Sequence, residues 1–272
     1  MNLPLHDAHN HLHDARLDGH RGEILAQLPG LGLVNAVVNG TCEEDWVTVE
    51  KLAGAHTWIL PSYGLHPWQV KTRSRDWQQR LAGHLDRAAT RVGVGEIGLD
   101  KWIRDYDLEE QRTVFAWQLR LAAERNLPAS IHCLQAWGSL ADVLDHEPVP
   151  ARGFLLHAYG GPAEIVIRLA RRGAYFSFNG HFLHERKHAR REIFRSIPLE
   201  RLLVETDAPD MCLPDEAAAW KLPDDPEGRP VNHPGNISII YQALARLRHP
   251  DLPVGEAGRA GRKMRPTGAV WS

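Results

Sequence analysis

Five places in the sequence carry metal-ligand residue types at the end of an apolar run: Asp7-Ala8-His9-Asn10-His11, Glu96, His132, His157 and Asp207. Residues i and i+2 of a strand share a face, so His9 and His11 point the same way from one strand end. A carboxylate offers two oxygens and can span two cations, which makes Glu96 the candidate bridge. His9, His11 and Asp207 then complete one divalent metal, and His132 and His157 the other. Imidazole and carboxylate together suit Zn²⁺, whereas Mg²⁺ or Mn²⁺ lean on the carboxylates. Two such cations activate water for hydrolysis and offset the charge that builds on the substrate. Asp207 is placed to orient that water or take its proton, so Asp207 and Glu96 are the candidate catalytic acids.

Other residues fall near the same ends. His66, in Gly64-Leu65-His66-Pro67-Trp68, is a candidate to hold a substrate phosphate or protonate a leaving group. Asp7 and Glu205 each lie two residues before a ligand candidate and are expected to orient a ligand histidine. Cys133 adjoins His132 in sequence, but neighbouring strand residues face opposite sides, so a thiol–imidazole pair is not expected there. Gly160-Gly161 suits either a phosphate cradle or a sharp turn.

The elements that must position these residues alternate almost from end to end. Strands are expected at Leu5–His11, Leu33–Asn39, Thr57–Tyr63, Arg91–Ile97, Pro128–His132, Gly153–His157, Ala174–Phe178 and Leu202–Thr206. Helices are expected near 21–29, 43–53, 74–89, 108–126, 136–146, 162–172, 184–196 and 236–248, with Thr41 and Asp107 as caps. Eight β–α units in strict alternation predict a single-domain (β/α)₈ barrel, whose active site gathers at the C-terminal strand ends. An open doubly wound sheet would put a glycine-rich loop after the first strand. This chain has Asp-Ala-His-Asn-His-Leu-His there. The Pro-, Asp- and Gly-rich stretch from Pro214 to Pro234 reads as a long loop after the eighth strand.

Composition bounds the remaining classes. The 272 residues are 43% hydrophobic and 24% charged, with a net charge of −2, which argues against general nucleic-acid binding but allows a local basic rim. Three widely spaced cysteines (Cys42, Cys133, Cys212) do not form a disulfide framework, and a reducing cytoplasm is the expected compartment. No signal peptide is visible at the N-terminus, and no apolar run approaches the roughly 18 residues that span a bilayer.

Taken in order, the segments Asp7-Ala8-His9-Asn10-His11-Leu12, Gly64-Leu65-His66-Pro67, Gly95-Glu96-Ile97-Gly98-Leu99-Asp100, Ser130-Ile131-His132, Leu156-His157-Ala158-Tyr159-Gly160-Gly161 and Leu203-Val204-Glu205-Thr206-Asp207-Ala208-Pro209 resemble the TatD family of metal-dependent hydrolases, within the amidohydrolase-like barrels. The resemblance runs from residue 5 to about 248. It implies a divalent-metal-dependent DNase or other phosphodiesterase, with His9, His11, Glu96, His132, His157 and Asp207 as ligands of two ions (Mg²⁺, Mn²⁺ or Zn²⁺) and His66 toward the substrate phosphate. Many related barrels bridge their metals with a carboxylated lysine on the fourth strand; Glu96 stands there instead, as in the TatD branch.

Two departures stand out. Cys133-Leu134-Gln135-Ala136 replaces the arginine the family often carries after the fifth-strand histidine, which removes a phosphate contact. The C-terminal stretch is glycine-rich without a periodic apolar face, so residues from about 255 are expected to be poorly ordered. The expected substrate is DNA or a nucleotide, single-stranded or with a free 3′ end, because a duplex needs a broader basic surface. Trp68, Trp102 and Trp137 are candidates to stack bases, and Arg73, Arg75, Lys101 and Arg104 to form a basic rim. Metal-dependent hydrolysis of a small amide or ester, and a non-catalytic metal-binding scaffold, are the competing functions.

Overall fold

The structure is a computed structural model and describes residues 4–88 and 91–251. The expected ordering of residues from about 255 therefore lies outside the described residues. Eight strands run in the order β1 to β8 through one sheet: β1 Leu5–Asn10, β2 Leu33–Asn39, β3 Ile59–Tyr63, β4 Gly93–Asp100, β5 Ala129–Leu134, β6 Phe154–Leu156, β7 Ala174–Phe178 and β8 Leu202–Val204. Between and after them come α1 Arg21–Gln27, α2 Trp46–Ala55, α3 Trp77–Arg87, α4 Leu108–Glu124, α5 Trp137–His146, α6 Val166–Arg171, α7 His188–Ile193 and α8 Ile237–Arg248. The pairs from β3–β4 to β6–β7 are parallel. Past the ends of the sheet, Asp207 N–H donates to His9 O at 3.0 Å and His11 N–H to Ala208 O at 2.7 Å, so the two outermost strands meet. The fold is the expected (β/α)₈ barrel.

By contacts the chain falls into two compact units. One joins the residues up to Ala36 with those from Ser177 onward, and the other is Val37–Phe176.

The strands are buried on both faces, which is why they read as continuous apolar runs. The helices bury one stripe: α3 covers Trp77, Leu81, His84 and Leu85, spaced at the helical period. Asp107 caps α4 as expected, its carboxylate accepting from Glu110 N–H at 3.0 Å. Thr41 does not cap α2. The helix begins three residues later than its acidic lead suggests, and Asp45 instead accepts from the Thr41 N–H and Oγ1 and from the Cys42 N–H, closing the loop after β2. All three cysteines are free.

Strand β4 departs most from expectation. The pattern places Glu96 at its end, but the strand continues to Asp100 and pairs with β5 through Ile97–Ile131, Gly98–His132, Leu99–Cys133 and Asp100–Leu134. The register shifts between Val94 and Ile97, so simple alternation does not carry across Glu96. Gly98 makes this extension: at φ +145° its Cα approaches β5 so closely that a Cβ would lie 2.0 Å from His132 O.

Candidate metal centres

In the first unit, β1 delivers His9, the residue just past its end is His11, and the segment after β8 delivers Asp207. The His9 and His11 Nε2 atoms lie 3.2 Å apart, and each is 3.5 Å from Asp207 Oδ1. Asp207 has φ 53°, the left-handed region that Asp tolerates better than most residues. Backbone bonds on both sides hold it there, from its own N–H to His9 O and from Asp210 N–H to its carbonyl at 2.8 Å.

The buried Asp7 accepts from Thr206 N–H at 2.9 Å, Thr206 Oγ1 at 2.5 Å and His9 N–H at 3.3 Å. Burial pushes its carboxyl up to about 7 against those three bonds. Among the contacts seen, Asp7 positions the backbone that carries Asp207. Glu205 accepts from Ser177 Oγ and, at 3.2 Å, from Asn179 Nδ2, both contributed by β7 and the residue just past it. Outside the cluster, Arg21 donates to the carbonyls of Leu12, His13 and Asp14, and Arg16 forks onto Asp210 while also pairing with Asp14. The loop after β1 is thereby tied to the loop after β8.

In the second unit, Glu96 Oε1 lies 3.1 Å from His132 Nδ1 and 2.9 Å from His157 Nε2, and those two nitrogens are 3.1 Å apart. Three donor atoms thus form a near-equilateral triangle. His132 presents Nδ1 because its other nitrogen, Nε2, bonds Asp100 Oδ2 at 3.0 Å. Burial disfavours charge on His132, but hydrogen bonds from its ring to Asp100 and Glu96 more than offset that and hold its pKa above the ordinary histidine value. Burial likewise acts to raise Asp100, yet the bonds it accepts from His132, Trp68 and Trp102 keep it below the usual carboxylate range. The ionised Asp100, acceptor of three donors, keeps a proton on His132 Nε2, so a cation bound at Nδ1 would displace only the proton facing Glu96.

His66 contributes differently. Its Nδ1 accepts from Trp68 N–H at 3.2 Å, so the ring proton sits on Nε2, 3.5 Å from Glu96 Oε1. That tautomer makes His66 a donor beside the cluster, in line with a substrate contact.

Two side chains of α4 hold the strand exits of this unit in place. Gln118 accepts from Leu65 N–H at 2.7 Å and donates to Leu65 O at 3.1 Å; Gln111 does the same for Asp100, at 2.8 and 2.9 Å. Seven residues apart on one helix face, both amides are buried and satisfy backbone groups next to His66 and on Asp100 itself. Neither glutamine, nor Asp100 as the partner of His132, is among the expected site residues. Their signal in the sequence is faint: two polar residues on an otherwise apolar helix stripe, and an acid four residues beyond Glu96.

Both triangles fit a divalent cation. Metal–ligand bonds of about 2.0–2.2 Å hold neighbouring ligand atoms roughly 2.9–3.5 Å apart, the range of the edges in each unit, and the donors are the imidazole and carboxylate mix that such ions take. His9, His11 and Asp207 also group as a possible ion site, and in the second unit His66, Glu96 and His132 do.

The remaining candidates divide. Trp68 and Trp102 are exposed, whereas Trp137 is half-buried and packs edge-on against Tyr159 at 4.8 Å. Arg73 is committed to an ion pair with Glu110 at 2.8 Å, while Arg75 and Arg104 are exposed and Lys101 half-buried. Gly161 lies under the Tyr159 ring, where a Cβ would meet it at 2.7 Å, which favours the turn reading. Burial pushes the Cys133 thiol well above its ordinary value, against a nucleophilic role.

A β/α barrel with imidazole and carboxylate triads in and just after its strands is the architecture of the metal-dependent hydrolases of the amidohydrolase-like kind. The family model described as TatD related DNase matches residues 6–255, and the chain belongs to this family. It is 30% identical over 239 residues to the 3′-5′ ssDNA/RNA exonuclease TatD of Shigella flexneri, covering 85% of this chain and 86% of that protein. It is 28% identical over 243 residues to the Escherichia coli metal-dependent hydrolase YjjV, covering 89% of each. The crystal structure of Escherichia coli YjjV, described as a TatD homolog, superposes with a TM-score of 0.85 at 27% identity over 100% of this chain and 99% of that one. The protein is thus a metal-dependent hydrolase, as the motifs imply. No helix among the described residues is long and apolar enough to cross a membrane.

Proposed function

We propose that the protein is a two-metal phosphodiesterase that releases nucleotides from single-stranded DNA, acting from a 3′ end. The observation that carries this reading is the pair of ligand triangles, His9–His11–Asp207 and Glu96–His132–His157, each with edges suited to a divalent ion. Glu96, whose Oε1 closes the second triangle with His132 and His157, would hold the ion of that unit, as Asp207 would hold the ion of the first. Bound there, Mg²⁺, Mn²⁺ or Zn²⁺ would supply Lewis acidity, lowering the pKa of a water and offsetting charge on the phosphate.

The protein's own groups do the rest. Asp207 orients the attacking water and accepts its proton, from a backbone fixed by Asp7 and Thr206. His66 Nε2–H donates to a phosphate oxygen or to the leaving oxygen. Asp100 keeps His132 in the tautomer that can ligate. A nucleic-acid substrate is supported by the name of the Shigella relative, an exonuclease on single-stranded DNA and RNA.

Hydrolysis of a small amide or ester is the second reading, favoured by Cys133-Leu134-Gln135 standing where a phosphate-binding arginine is common in the family. Nucleotide release from 3′- and 5′-labelled single strands, run beside amide and ester panels with each of the three ions, tests the choice. Metal-dependent release from the 3′ end is expected. Turnover confined to amides or simple esters would reject the nuclease reading.

A further inference from the structure

Trp68 and Trp102 are 50% and 64% exposed, the two most exposed large hydrophobic side chains among the described residues. They follow adjacent strands, β3 and β4, and one buried carboxylate holds both. Asp100 Oδ2 accepts from Trp68 Nε1 at 2.8 Å, and Asp100 Oδ1 accepts from Trp102 N–H at 2.6 Å. The same Oδ2 bonds His132 Nε2 at 3.0 Å. Trp68 also sits edge-on to His66, with ring centroids 5.1 Å apart and planes at 90°. The Trp68 ring is thus held by its own Nε1 and the Trp102 ring is carried on a backbone fixed to the same buried carboxylate, which also bonds a metal-ligand candidate.

Hydrophobic burial alone would not arrange them so, because an exposed indole forgoes most of its transfer free energy. Exposed rings carried on a fixed support next to such a cluster are what an unpaired nucleobase requires. Every base has a π-face, and stacking on an aromatic side chain needs no particular sequence.

Resting on the phosphodiesterase reading above, we infer that Trp68 and Trp102 form a stacking platform for the bases that flank the scissile phosphate, with Asp100 as the positioning residue that ties the platform to His132. Duplex DNA, whose bases are already stacked, gains nothing from the platform.

The test compares oligo(dT) with the same oligomer carrying abasic sites near its 3′ end, using metal-loaded full-length protein as wild type, Trp68→Ala, Trp102→Ala and the two Phe variants. The expected result is a preference of wild type for the base-bearing oligomer that drops about 10-fold or more in each Ala variant, mainly through KM, and is largely kept with Phe. An unchanged preference in both Ala variants would overturn the platform. Binding is followed separately by the anisotropy of labelled oligo(dT). Wild type that binds the oligomer through these rings but cuts neither strand sinks the nuclease reading and leaves the platform standing. Wild type that cuts both equally well sinks the platform alone.

Discussion

At the residue scale, the division of labour rests on which ring nitrogen carries a proton. His132 gives up Nε2–H to Asp100 and keeps Nδ1 toward Glu96, whereas His66 accepts a backbone N–H on Nδ1 and turns Nε2–H toward the same oxygen. The first is built to ligate and the second to donate. His66→Ala is therefore expected to lower kcat/KM by about 10²-fold while metal stoichiometry, measured by plasma emission on dialysed protein, stays at the wild-type value. Loss of one metal equivalent would make His66 a ligand.

Asp100→Asn leaves one amide N–H facing His132 or a tryptophan donor, so metal affinity by calorimetric titration should weaken about 10- to 100-fold. Unaltered affinity would show that Asp100 does not set the tautomer. The ligand candidates were legible in the sequence as histidines and acids at or near the ends of apolar runs. Asp100 was not, because its role depends on β4 running on past Glu96.

At the element scale, the alternating runs disclosed all eight strands and the helices between them, since buried parallel strands leave an apolar signature that needs no tertiary context. What they did not disclose is how the exits of β3 and β4 are held. The shift between Val94 and Ile97 and the close approach at Gly98 are set by the neighbouring strand, which no local pattern encodes. Gln111 and Gln118 show the same limit: polar residues on a buried helix stripe read as neutral until their backbone partners are known. Gln111→Leu strips two hydrogen bonds from the Asp100 peptide groups and leaves them buried. It should cost about 2 kcal/mol in urea unfolding and lower activity through Asp100. A variant as stable and active as wild type would mean that the clamp is redundant.

At the scale of the whole molecule, the order β1 to β8 followed from counting β–α units, and membership of the TatD family from motifs spread along the chain. The dependence of stability on pH was not legible, since it depends on burial. His181, just after β7, has its pKa lowered to about 4, by burial first and then by Lys187, His184 and Arg186. Between about 6.5 and 4 the unfolded chain binds a proton there that the folded chain refuses. Its contribution is therefore full above pH 6.5 and is lost as pH falls toward 4. His181→Gln should flatten the fall in urea midpoint between pH 7 and 4.5, and identical slopes in the two proteins would contradict that assignment.

On the proposed reading, hydrolysis depends on the Glu96 carboxylate as the acidic ligand of the second triad. Glu96→Ala, assayed on single-stranded DNA with Mg²⁺, Mn²⁺ and Zn²⁺ in turn and checked for folding by circular dichroism, tests it most directly. A folded protein with activity reduced at least about 10²-fold under every ion is expected. Activity that survives Glu96→Ala undiminished would contradict it.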